Sequence, residues 1–177
     1  QHPKTIFTLW TEAERNAIGI YTVEIDESKK KDEQWYVNTN ITYSFDGSKV
    51  TGSYGDATAR AHADTLYTDE DKSKDEIPAG KDVGDVKVEG LKTILIRQVK
   101  NQAEGELNKT DWYITRKSEK DTAIPSSITT HRDAVRAKQA EMETAITNAS
   151  DTPALETLYT RDENAERPLG DLPTLED

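Results

Sequence analysis

Asp111, Trp112 and Tyr113, with Arg132 and Arg136 further along, form the densest grouping of chemically able side chains in this sequence. The flat faces of Trp and Tyr rings can stack on sugars, and neighbouring Asp and Arg side chains can fix a sugar by hydrogen bonds. The same residues have a structural use. A large aromatic can anchor a loop against two helices, and arginine forks can pair with carboxylates across them. The structural use is the stronger reading, because nothing nearby polarises a bond or activates a nucleophile.

Other chemistries fail on spacing. His2, His62 and His131 are far apart and share no metal-ligand pattern. Asp69, Asp71, Ser73 and Asp75 resemble a calcium loop, but Lys74 stands where glycine is required and Gly80 where the closing glutamate belongs. Gly80-Lys81 lacks the first glycine of a phosphate loop, and Asp82 follows the lysine. There is no Gly-x-Ser-x-Gly elbow. The triplets Asn40-Ile41-Thr42, Asn108-Lys109-Thr110 and Asn148-Ala149-Ser150 match the glycosylation pattern by chance in a Thr-rich chain. No enzymatic activity, metal or cofactor is expected.

Composition narrows the partners. The 177 residues carry a net charge of −11, from 34 acidic and 23 basic side chains, so neither a nucleic-acid backbone nor an anionic membrane is expected as partner. Lys29-Lys30-Lys31 is flanked by acids and reads as a solvated turn. The absence of cysteine excludes disulfides and thiolate chemistry. No apolar run reaches the roughly 18 residues of a membrane span, and Gln1-His2-Pro3-Lys4 shows no signal-peptide pattern. With 33% hydrophobic residues the core should be thin, which favours oligomerisation.

The elements that would position these residues read as an α+β chain. Thr11 and Glu14 form a capping box for a short helix stopped at Gly19. Tyr21, Val23 and Ile25 alternate as a strand. Trp35, Val37, Ile41, Tyr43 and Phe45 fall on one face of a strand spanning 35–45, the Asp46-Gly47 pair turns the chain, and 49–54 returns. A small antiparallel meander follows, with an apolar face to be covered by helices or by another subunit. Ala57–Tyr67 reads as a short helix. Residues 68–85 form an acidic connector. Val88, Leu91, Leu95, Val99 and Ala103 mark a helix over 86–107. Ser126 or Ser127 caps the next, with Val135, Met142 and Ile146 as its stripe, and Asp151 or Thr152 caps a last helix to Tyr159. The expected organisation is thus a β-meander module over 1–67, a connector over 68–85, a helical hairpin over 86–160 and an extended polar tail over 161–177.

The segment Leu95–Ile146 resembles a module of virion and tail-fibre-associated proteins of tailed bacteriophages. The matching positions are Leu107, Thr110, Asp111, Trp112, Tyr113, Arg116, Ile124, Pro125, Arg132, Val135 and Arg136, with His131 where a Tyr is usual. Leu9–Arg15 running into Ile18-Gly19-Ile20 resembles the opening of phage tail proteins. The resemblance implies a strand-like Tyr113–Arg116, an Asp111 that pairs with Arg132 or Arg136, and a Trp112 filling the crevice between helices. It also implies a virion structural protein of the tail, baseplate or fibre-attachment region, made in the host cytoplasm. Its partners would be other virion proteins or copies of itself. The alternatives are a tail-fibre assembly chaperone and a carbohydrate-binding adhesin or hydrolase at a fibre tip.

Overall fold

The computed structural model describes residues 5–175, so the expectations for Gln1, His2 and the last two residues of the tail lie outside the described residues. The chain is α+β and forms two compact units, residues 1–59 and 60–177. The expected connector, 68–85, therefore lies inside the second unit.

The first unit opens with α1 (Ile6–Leu9) and α2 (Glu12–Ala17). The α2 start has the expected reciprocal bonds: Thr11 N–H donates to Glu14 (2.8 Å) and Glu14 N–H donates to Thr11 Oγ1 (3.3 Å). Gly19 takes positive φ beyond its end. Then come β1 (Val23–Asp26), β2 (Tyr36–Val37), β3 (Thr42–Phe45), β4 (Val50–Ser53) and β5 (Thr58–Ala59). β4 is central in a three-stranded sheet of order β1-β4-β3, antiparallel to β3 but parallel to β1. This corrects the all-antiparallel meander. A second correction concerns the single strand expected over 35–45, which is broken in the middle. Lys31 N–H donates to Asn38 Oδ1 (2.9 Å), Asn38 Nδ2 donates to Lys31 O (2.8 Å), and Gly55 N–H donates to Thr39 Oγ1 (2.6 Å). These side chains occupy backbone groups that a ladder would use. β2 pairs instead with β5 in a separate ribbon.

Residues 57–67, which run from the first unit into the second, are not helical. Besides β5 they contain β6 (Thr65–Leu66), which pairs antiparallel with β7 (Val86–Val88). Between these strands lies α3 (Asp69–Ser73), started by a Thr68–Asp71 capping box. Asp71 also receives a hydrogen bond from Lys87 Nζ. The lysine, together with the N–H and hydroxyl of Thr68, holds the Asp71 carboxyl below the usual carboxylate range. The helices are α4 (Leu91–Asn108), α5 (Asp111–Lys120), α6 (Ser126–Asn148) and α7 (Thr152–Tyr159). α4 and α6 pack through Leu95, Val99, Ala103, Val135, Met142 and Ile146, all buried. α6 begins behind Pro125 without a serine cap, whereas Asp151 caps α7 by accepting from Ala154 N–H (2.8 Å).

Two further expectations change. α5 replaces the strand-like Tyr113–Arg116 and makes three helices of the expected hairpin. Asp111 in its first turn and Lys117 and Lys120 in its last complement the helix dipole. The polar arm after Arg161 folds back. Leu169 is buried, its N–H donates to Leu158 O (3.0 Å), and Arg161 and Arg167 both reach Asp171 (3.1 and 2.7 Å).

The loop 60–64 explains why 57–67 gives up helicity: it terminates α4. Gly90 N–H donates to Asp64 Oδ1 (2.7 Å), Leu91 N–H to Ala61 O and Lys92 N–H to His62 O (both 3.0 Å), so three otherwise unpaired donors of the first turn are satisfied. Gly90 has to be glycine here, since a Cβ would stand 2.3 Å from the Ala63 carbonyl carbon and oxygen. Gly90→Ala is expected to lower stability by about 1–3 kcal/mol, the range for overpacking against atoms that cannot yield. Urea unfolding of the two proteins checks it.

Candidate interaction surfaces

The sheet of the first unit has two unlike faces. Along β1, Val23 and Ile25 share a face, and the register sets Val23 beside Val50 beside Phe45, and Ile25 beside Gly52 beside Tyr43. Glu24, Asp26, Thr42, Ser44, Thr51 and Ser53 alternate onto the other face. Gly52 is what lets the apolar side converge. A Cβ there would lie 2.8 Å from Ile25 Cδ1 and from Ile41 Cγ2, and 3.0 Å from Tyr43 Cε1, so these side chains close over a position without a side chain. The Tyr21 and Phe45 rings meet at 4.5 Å on the same side.

Among the described residues of the first unit, nothing covers this apolar face. Tyr43 is 64% exposed and Phe45 52%, and Val23 and Ile25 are each more than two-fifths exposed. Of the row expected on one strand face, the structure brings together Ile41, Tyr43 and Phe45. Trp35 is buried instead, and Val37 lies exposed on the β2–β5 ribbon. Val23, Ile25 and Val50 also belong to the surface. Their alternation was legible, whereas the parallel pairing that brings β1 beside β4 had no local signal.

The second cluster is the α4–α5 junction. Arg132 on α6 is only 9% exposed, and its Nη1 donates to Leu107 O (2.8 Å), Thr110 Oγ1 (2.7 Å) and Asp111 Oδ1 (2.8 Å). Thr110 and Val135 are fully buried. The cation thus sits between the carbonyl end of α4, whose dipole favours it, and the Asp111 carboxylate in the first turn of α5, which pairs with it. Of the two expected partners for Asp111, Arg132 is the one used; Arg136 pairs with Asp133 (3.2 Å).

Trp112 does not fill the crevice. It is 51% exposed, because a helical α5 turns it outward while Asp111 takes the inward contact. Its ring lies 3.7 Å from that of Tyr113, and the Arg116 guanidinium stands 4.8 Å from the first ring centre and 5.3 Å from the second. An open cleft of about 740 Å³ runs along α6 and is lined by Leu107, Arg136, Gln139, Ala140, Glu143 and Thr144, among others. Among the described residues, no group of three or more His, Asp or Glu is placed to hold a metal ion, and no helix is long and apolar enough to cross a membrane.

These features define an α+β protein whose distinctive surface is an open sheet face rather than a lined pocket. No protein-family model, curated protein or solved structure matches the chain.

The geometry ranks three substitutions at the junction. Arg132→Ala removes a largely buried side chain with three hydrogen bonds, leaves the buried Thr110 hydroxyl without its donor, and is expected to cost about 2–3 kcal/mol. Asp111→Asn removes a half-exposed ion-pair partner and should cost about 1 kcal/mol or less. Trp112→Ala removes only a surface cation–π stack, also about 1 kcal/mol or less. Thermal and urea unfolding give the order, and a Trp112→Ala loss as large as that of Arg132→Ala would contradict the exposed placement.

Proposed function

We propose that the chain is a non-enzymatic structural protein of a tailed-phage particle, in the tail, baseplate or fibre-attachment region, acting through protein–protein assembly. The observation that carries the assembly role is the single-layered sheet with an exposed apolar face formed by Val23, Ile25, Tyr43 and Phe45. Water-exposed apolar surface of this kind is retained where a partner covers it. The placement in a phage particle rests on the resemblance around Leu107–Arg136 alone. The acidic net charge agrees with protein partners rather than nucleic acid. The chain would be carried in several copies or bound to neighbouring virion proteins.

Purified particles test this reading. The chain is expected in them at a fixed copy number, resistant to washing. Its presence in infected-cell lysate together with its absence from particles would overturn the structural role and favour a transient assembly chaperone.

One observation favours a second reading. Trp112 is exposed beside Tyr113 and Arg116, an arrangement suited to stacking against a sugar ring at a fibre tip. Retention on a host-polysaccharide column, lost in a folded Trp112→Ala protein, is the result this reading requires; elution of the unmodified chain in the void volume would remove it.

A further inference from the structure

The sheet has two edges, and they differ. β1 carries Glu24 and Asp26, and Lys49 pairs with Glu24 beside it. β3 is Thr42-Tyr43-Ser44-Phe45, all four exposed, with no charged side chain, no proline and an unbroken register to β4. Edge strands are ordinarily protected by charge, proline or a bulge, because their unpaired backbone groups recruit another strand. β3 has none of these devices.

The direction of its free backbone groups follows from the turn. Asp46 N–H donates to Lys49 O (3.2 Å), so residues 46 and 49 face each other through their backbones. Along an antiparallel pair this alternates. Thr42 and Ser44 therefore face β4, and the N–H and C=O groups of Tyr43 and Phe45 point away from it, to the open edge. Among the described residues, β3 pairs with β4 alone.

We infer that this edge pairs with β3 of a second copy of the chain, antiparallel, about a twofold axis at Ser44. Two conditions select that register. Residues opposite one another in an antiparallel pair lie on the same face, and outward-pointing backbone groups have to meet outward-pointing ones. Both hold when Tyr43 stands opposite Phe45 of the second copy and Phe45 opposite its Tyr43. Four backbone hydrogen bonds form, and two Tyr–Phe pairs cross the axis on the apolar face. Shifting by one residue breaks both conditions. Shifting by two sets Phe45 against Ile41 in one direction and Tyr43 against Gly47 in the other, and both of those residues lie outside the strand.

Self-complementarity of Tyr43 and Phe45 about the axis selects a second copy as the occupant, and charge permits it. A chain of net charge −11 can meet its own copy closely only where the contact is free of acids, and the centre of β3 is such a place. The pairing joins two three-stranded sheets into one of six strands, with the apolar face continuous across the axis. The contact is smaller than the roughly 800 Å² per partner of a standard stable complex, so the dimer is reversible and concentration-dependent in solution. The inference stands on the sheet alone and does not require the phage assignment.

The chain has no cysteine, which allows a direct test. In this register Ser44 meets itself as a non-hydrogen-bonded pair with Cα atoms about 4.5 Å apart, within disulfide reach. Position 42 lies about 14 Å from its counterpart, four residues along the strand. Under mild oxidation, Ser44→Cys is expected to form covalent dimer at least about tenfold faster than Thr42→Cys. Adding Tyr43→Glu to Ser44→Cys should remove that advantage while the circular dichroism spectrum is kept. The parent chain should show a rising mass with concentration in sedimentation velocity. Equal crosslinking at 42 and 44, or a parent chain that stays monomeric up to about 1 mM (about 4 kcal/mol of association free energy), would overturn the pairing. Neither result would bear on whether the chain is carried in a phage particle.

Discussion

α4 is the constraint on which the second unit turns. One face of this helix is buried against α6, so the polar groups at its ends cannot all rely on water, and both ends are completed by distant parts of the chain. At the N-terminus the loop 60–64 accepts from Gly90, Leu91 and Lys92. At the C-terminus Arg132 donates to the Leu107 carbonyl. Each completion fixes something else. The N-terminal one requires the close approach of Gly90 to Ala63, and Thr152 Oγ1 donates to Arg60 O (2.6 Å), which ties the same loop to the start of α7. The C-terminal one ties Thr110 and Asp111, where α5 opens, to the end of α4. The helix pair is thus secured by polar closure at its ends as well as by apolar packing along its length.

Periodicity made part of this legible. The α4 stripe from Leu91 on, the α6 stripe, the capped helix at Thr11 and the Asp46-Gly47 turn all carry their signal within a few residues and are present, whereas Val88, expected to open the α4 stripe, lies exposed on β7. The failures share a cause, which is competition from groups remote in sequence. Residues 57–67 have the alanines of a helix, yet their carbonyls and Asp64 are taken by the N–H groups of α4. Residues 35–45 alternate as one strand, but Asn38 and Thr39 spend their side chains on Lys31 and Gly55 and divide it. Tyr113-Ile114-Thr115 reads as a strand by residue type. The helix wins because Asp111 and Lys120 suit its ends and Arg116 reaches both rings one turn back.

The candidate site was legible to different degrees. Asp111 and Arg132 do pair across the junction, as opposite charges on adjoining elements suggest. The aromatic next to them was misplaced for a geometric reason. In α5 the indole lies about 100° around the helix axis from Asp111, and with Asp111 turned to Arg132 it is left 51% exposed.

The apolar sheet face and the acidic surface around it are two halves of one physical problem. A folded acidic chain repels its own copies at long range, which keeps it soluble while an uncovered row of Val, Ile, Tyr and Phe remains in water. Association then depends on a surface where the repulsion is locally absent. Lys49 neutralises Glu24 at one side of the sheet, and β3 has no charge to neutralise at the other. Gly52 adds the shape: without a side chain at the sheet centre, Ile25, Ile41 and Tyr43 lean together into a low, continuous patch instead of a ridge. A flat apolar patch beside an unprotected strand edge can be covered by another sheet with little rearrangement, which is the property a repeatedly used assembly contact requires.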